Sequence, residues 1–149
     1  MRIDFKPGNM LYPVPVVMVS CADSEGRSDI VTVAWTGTIC TNPPMVYISL
    51  RPSRYSYDII KKSREFVINL TNEKLAKTAD ECGVKSGRDI DKWKVLKIEQ
   101  LPSKVVAASS IKESPVCIEC KVEDIIELGS HHMFIAKVVA VNVDAKYMD

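Results

Sequence analysis

Val116-Cys117-Ile118-Glu119-Cys120-Lys121-Val122, continued by Glu123-Asp124-Ile125-Ile126-Glu127-Leu128, is the stretch on which the fold turns. Val116, Ile118, Cys120 and Val122 alternate with other residues, the period that puts one face of a strand on a core. Gly129-Ser130 follows, and then a second apolar run from His132 to Val143. Two long strands around a tight turn predict an antiparallel hairpin.

Moving upstream, the apolar and β-branched run Val14 to Cys21 predicts a buried strand, with Pro13 and Pro15 holding its first residues to an edge. A polar turn from Ala22 to Ser28 leads to the second half of a hairpin at Ile30 to Ala34, which Trp35-Thr36-Gly37-Thr38 breaks. Thr41-Asn42-Pro43-Pro44 is a turn, and Met45 to Leu50 a strand with Val46, Ile48 and Leu50 on one face. The period then changes. Ser53 is placed to cap a helix from about Arg54 to Ser63, Phe66 to Leu70 returns to strand, and Thr71 to Cys82 predicts a second helix that Gly83 stops. Val84 to Trp93 is too charged for a core, and Asp89 is expected to cap a short helix carrying Trp93 and Leu96.

The expected architecture is mainly β: at least five strands in an antiparallel barrel, with two or three short helices packed outside. Strand and helix do not alternate, and no G-x-G-x-x-G loop exists, so a parallel nucleotide-binding sheet fits poorly. The 149 residues predict one domain, 1–149. With Lys and Arg totalling 20 and Asp and Glu 19, the net charge of +1 supplies no global field for nucleic acid or an anionic membrane. The five cysteines are irregularly spaced, and Arg2, Asp4 and Lys6 interrupt the start where a secretory leader would be apolar. Free thiols and a cytoplasmic location are expected.

Five places could carry chemistry. Ser49-Leu50-Arg51-Pro52-Ser53-Arg54-Tyr55-Ser56 joins a strand to a helix start, where unpaired N–H groups, two guanidinium forks and two hydroxyls suit a phosphate. An exposed capped helix start with solvated arginines fits the same residues. Asp29 to Thr38 offers small residues and one large ring, suited to a flat heteroaromatic ligand or to a buried tryptophan at a strand end. Lys85 to Trp93 packs three cations, two acids, a glycine and a tryptophan into a binding loop or a salt-bridged surface turn. His131 and His132 would point to opposite faces of a strand and share no metal ion, so no zinc site is expected. Cys117-Ile118-Glu119-Cys120 has CxxC spacing, but mid-strand its thiols face opposite ways, and a structural role is expected.

Asp29-Ile30-Val31-Thr32-Val33-Ala34-Trp35-Thr36 with Asn42-Pro43-Pro44, then Arg51-Pro52-Ser53-Arg54-Tyr55-Ser56-Tyr57 leading to Glu65-Phe66-Val67-Ile68-Asn69, Ser86-Gly87-Arg88-Asp89-Ile90-Asp91-Lys92-Trp93, and Gly129-Ser130-His131 stand in one order and spacing across nearly the whole chain. Together they resemble the flavin reductase-like family of the flavoredoxin type. The resemblance implies a Greek-key split β-barrel, a homodimer, and FMN near the subunit interface. It implies that Asp29, Thr32, Val33, Ala34, Trp35 and Thr36, with Ser49 and Leu50, lie along the flavin; that Arg51, Arg54 and Ser56 hold its phosphate; and that Ser86, Gly87 and Lys92 contact the cofactor. His131 would sit by the ring as the catalytic proton handler. The implied activity is electron transfer from NAD(P)H through FMN to a free flavin or a protein acceptor. An FMN carrier without its own nicotinamide site and a barrel interaction module without flavin are the other readings. Asp29 stands where the family favours Asn, Ser130 where it often has Asp, and the sequence ends at Asp149, earlier than many relatives, which implies a more open pocket.

Overall fold

The computed structural model describes residues 1–149. In chain order the elements are β1 (Val17–Ala22), β2 (Ser28–Val33), β3 (Thr36–Cys40), β4 (Met45–Leu50), α1 (Tyr55–Ser63), β5 (Glu65–Leu70), α2 (Ala76–Val84), α3 (Lys92–Val95), β6 (Gln100–Leu101), β7 (Ser110–Ile111), β8 (Val116–Glu127) and β9 (His132–Val143). Seven strands form one sheet in the order β2-β1-β5-β8-β9-β4-β3, and β6 and β7 form a separate ribbon. Every pairing in the large sheet is antiparallel.

Alternation sorts the side chains into two layers. Val19, Val31, Ile48, Ile68, Cys120 and Phe134 come from β1, β2, β4, β5, β8 and β9, yet they share one buried cluster. Strands from both halves of the sheet meet there, so the sheet is curled into a split barrel around this core. Two irregularities in the β8–β9 register, at Glu119/Cys120 and Val122/Asp124, add local bend where the long hairpin wraps. Helix α1 closes the barrel with Tyr57, Ile59 and Ile60 in the same cluster. The intervening residues Met18 and Ile30 face outward and are covered by Leu75, Ala79, Cys82 and Trp93 from the α2–α3 region. A third cluster joins Val67 and Cys117 to Val106 and Ala108 of the loop before β7. Fully burying one such large apolar side chain contributes about 1.5–3 kcal/mol.

The structure shifts several sequence expectations. β1 starts at Val17 rather than Val14, and Val16 is still 48% exposed, because two prolines in the preceding residues remove ladder donors. Thr36–Cys40 forms an edge strand on β4 despite its small residues. Ser53 does not cap α1: Arg54 holds the extended N-cap position and no side chain bonds the first turn. The expected helix from Thr71 is a 3-10 turn, Glu73–Leu75, capped by the Asn72 side chain and followed by α2. Gly83 does not stop α2, which runs to Val84. A Cβ on Gly83 would lie 3.2 Å from Thr32 Cβ, so this glycine lets helix and sheet approach closely. The charged segment is not all surface: Lys92 and Trp93 are buried, and Asp91 rather than Asp89 caps α3.

Candidate functional site

β4 delivers the chain to Leu50, and a turn closed by Arg54 N–H to Arg51 O at 3.0 Å launches α1. This turn and the first residues of α1, Ser53 to Ser56, line a cavity of about 260 Å³. Ser56, in that first turn, is fully buried, and its Oγ has no hydrogen-bond partner. Opposite it, the loop after α2 brings up Lys85, Ser86, Gly87 and Arg88. Arg88 Nη1 donates to Ser53 O at 2.8 Å, and its guanidinium lies 5.7 Å from the Tyr55 ring centroid. Arg54 Nη1 donates to Gly83 O at 3.1 Å. A Cβ on Gly87 would stand 2.4 Å from Tyr55 Cδ1 and 2.6 Å from Asp29 Oδ1, so only glycine lets this loop lie against the cavity wall.

The inner wall is the Asp29–Lys92 pair, 3.2 Å apart and both about 3% exposed. Lys92 Nζ donates to Ile30 O at 2.5 Å and Cys82 O at 3.0 Å. Those carbonyls and Asp29 Oδ1 together surround the ammonium. Burial raises the Asp29 pKa above the ordinary carboxylate value, with Lys92 only partly opposing it.

A second cavity of about 150 Å³ adjoins the first through Val31, Arg51 and Arg54. Its walls are Thr32, Val33, Ala34 and Trp35 at the end of β2, Ser49 and Leu50 of β4, and His131. The Trp35 and His131 ring centroids are 4.3 Å apart with planes inclined by 38°. Ser130 Oγ lies 2.9 Å from His131 Nδ1, leaving Nε2 as the uncommitted ring nitrogen. Burial, reinforced by the Arg51 and Arg54 charges, lowers the His131 pKa, so the imidazole is neutral at neutral pH.

Most sequence-predicted residues thus line two contiguous cavities. Asp29, Arg51, Arg54, Ser56, Ser86, Gly87 and Lys92 line the polar one; Thr32, Val33, Ala34, Trp35, Ser49, Leu50, Arg51, Arg54 and His131 line the other. Thr36 lies elsewhere. Its Oγ1 donates to Tyr47 O at 2.8 Å, and it lines a cleft of about 580 Å³ between Trp35 and the segment Gly8 to Pro15. That N-terminal wall was absent from the sequence-derived site, whereas Lys85, Arg88 and Tyr55 lay in its candidate stretches but not among the residues the resemblance assigned to the cofactor. The cluster of three cations in the Lys85–Trp93 stretch was the available signal for Lys85 and Arg88. His132 points away from its neighbour and bonds Tyr57 Oη at 2.7 Å. Cys117 and Cys120 are free thiols in different clusters, and burial raises the pKa of both.

No helix is long and apolar enough to cross a membrane. Flavoredoxin of Desulfovibrio vulgaris (Miyazaki F) superposes with a TM-score of 0.92 at 31% identity, covering 100% of this chain and 80% of that one. An FMN-binding protein from Thermus thermophilus, solved with bound p-hydroxybenzaldehyde, shares the fold with a TM-score of 0.89 at 21% identity over 100% of this chain and 85% of its own. The reductase component of a 4-nitrophenol 4-monooxygenase/4-nitrocatechol 2-monooxygenase from Rhodococcus opacus is 26% identical over 123 residues, 83% of this chain and 63% of that protein. The family described as flavin reductase like domain matches residues 9–148, and the chain, with its split barrel and paired cavities, belongs to that family.

Proposed function

We propose that the chain binds FMN and passes electrons from NAD(P)H through it to a free flavin or a protein acceptor. The observation that carries this reading is the junction of a cationic cavity, holding the orphaned Ser56 hydroxyl, with the slot lined by Trp35 and His131. The residues fit a phosphate ester joined to a flat ring. Ser56 supplies the missing donor partner, Arg51, Arg54 and Arg88 supply fixed charge, and Gly87 keeps the cradle open. Bound flavin would supply the hydride-accepting and electron-donating chemistry.

The chain's own residues set position and charge. The β2 strand end from Thr32 to Trp35 presents backbone and small side chains along the slot. The Arg51 and Arg54 charges at its junction favour added negative charge in the slot. Neutral His131, held at Nδ1 by Ser130, can accept a proton at Nε2. The cleft beyond Trp35 is open to a second planar ring such as a nicotinamide.

A homodimer forms part of the proposal. Met1, Ile3, Phe5, Met10, Leu11 and Tyr12 are each at least 68% exposed, an apolar strip suited to burial against a second copy. The five free thiols suit a reducing compartment, and the cytoplasm is the proposed location.

Anaerobic addition of NADH or NADPH to the FMN-loaded protein tests the reading, with bleaching of the flavin absorbance expected. A second reading, an FMN electron carrier fed by a protein donor, is favoured by the likeness to flavoredoxin. Absence of bleaching by either nicotinamide, with FMN still bound, would replace the first reading by the second.

A further inference from the structure

Among the side chains around the anion cavity, one has the wrong sign. Arg51 and Arg54 from the β4–α1 turn, Lys85 and Arg88 from the loop after α2, and Lys92 from α3 all carry positive charge. Asp29 is the acid that lines the same cavity. A phosphate oxygen and a carboxylate oxygen are both acceptors, so they cannot bond one another unless one carries a proton. Asp29 is 3% exposed, and the Lys92 ammonium 3.2 Å from its Oδ1 is shared with the carbonyls of Ile30 and Cys82, so an incoming phosphate competes with this carboxylate for the same cations.

Resting on the FMN reading above, we infer that Asp29 determines how the cavity holds a phosphate monoester: phosphate entry is coupled to uptake of one proton by the Asp29 carboxylate. The flavin is then held tightly where Asp29 is protonated and becomes an exchangeable ligand where it is ionised. The proton comes from solvent and resides on Asp29, which turns from an acceptor into a donor toward the phosphate or Ser56. Burial already raises the Asp29 pKa in the free protein, and a dianion nearby raises it further. The two thiols near Asp29 stay protonated across this range. The Cys21 thiol donates to Asp29 O at 3.7 Å and is pushed far up by burial, and Cys82 is pushed up to about 11.

The test titrates apo-protein with FMN, and with riboflavin as the phosphate-free probe, by flavin fluorescence quenching across about pH 5 to 8. Wild type and Asp29→Asn are compared at each pH, because the FMN phosphate's own second ionisation near ~6 contributes equally to both. The difference expected is a wild-type FMN affinity that weakens with pH by up to about tenfold per unit once Asp29 ionises. Asp29→Asn should lack that slope and bind FMN about tenfold or more tightly at the upper end, with riboflavin unaffected. Parallel FMN profiles in the two proteins would overturn the role of Asp29 and leave the FMN reading intact. Wild type that binds no FMN at any pH would overturn both. Should Asp29→Asn fail to fold, calorimetry of the wild type at about pH 7.5 in buffers of different ionisation enthalpy decides: net proton uptake with FMN but not riboflavin supports the inference, and none for either refutes it.

Discussion

The His131 imidazole lies over Trp35, with ring centroids 4.3 Å apart, although the two residues stand at the far ends of different strands. Trp35 lies between β2 and β3, where its carbonyl accepts Ser49 N–H of β4 at 2.9 Å, and His131 immediately precedes β9, which pairs with β4. Pairing of both segments with β4 brings the two together, and the slot between β2 and β4 opens beside them.

His131→Gln should leave FMN affinity within a few-fold and slow hydride transfer by about a hundredfold or more, the usual scale for a lost proton-transfer group. Because burial and the two arginines lower its pKa, His131 is already neutral at pH 7. The wild-type rate should therefore be level from neutral pH upward and fall only as pH drops below the ordinary histidine value of 6.5. Stopped-flow reduction across that range checks it; an unchanged rate in the variant excludes His131 from proton handling.

Arg54→Ala should weaken FMN binding by about 10- to 100-fold, the equivalent of a charge-assisted hydrogen bond of ~1.5–3 kcal/mol. Arg54 is exposed and its side chain makes one hydrogen bond within the protein, to Gly83 O, so the thermal midpoint should move little. Equal FMN affinity in the two proteins would contradict a phosphate role.

Cys117→Ser should leave flavin reduction intact. The Cys117 thiol is buried with Val67, Val106 and Ala108, away from Cys120 and from both cavities. Loss of activity in a folded variant would revive a thiol step.

Glu119 predicts an acid-sensitive loop. Its carboxylate is 2% exposed and accepts the backbone N–H groups of Lys104, Val105 and Val106 at 2.7–3.0 Å. Burial alone would raise its pKa, but the three amides outweigh burial and hold it below the ordinary 4.5. A depressed folded pKa means that the stabilisation is fully present above about 4.5 and is lost as pH falls through the folded value. Glu119→Gln should cost roughly 1–3 kcal/mol at neutral pH and flatten the acid limb of stability. Amide exchange at Lys104 to Val106 should accelerate with it. An unchanged acid limb would exclude this anchor.

Light scattering should find the proposed dimer for the whole chain and a monomer after removal of residues 2–12, since this deletes most of the exposed apolar N-terminal strip. Persistence of the dimer would place the interface elsewhere.

Alternation at Ile118, Cys120 and Val122, and the hairpin into β9, were legible in the sequence because a strand's period is local. So was the gathering of Arg51, Arg54 and Ser56 at one strand-to-helix turn, because a strand ending at two arginines before a helix start needs no distant partner to be recognised. What distant residues decide was not legible. Gly83 looked like a helix stop, but Thr32 on the sheet, not the local backbone, sets its role. Lys92 and Trp93 lie in a stretch charged enough to be surface, yet carbonyls of Ile30 and Cys82 solvate the ammonium and Ser28 Oγ accepts the indole N–H at 2.9 Å. Hydrogen bonds that make burial of polar groups tolerable come from other elements, so burial cannot be read from the segment itself. The strands, the hairpin and the cationic residues of the β4–α1 turn follow from local sequence. His131 over Trp35 and the Asp29 carboxylate within a cationic cavity come from tertiary structure, since the first depends on both segments pairing with β4 and the second on the β4–α1 turn and the loop after α2 meeting beside β2.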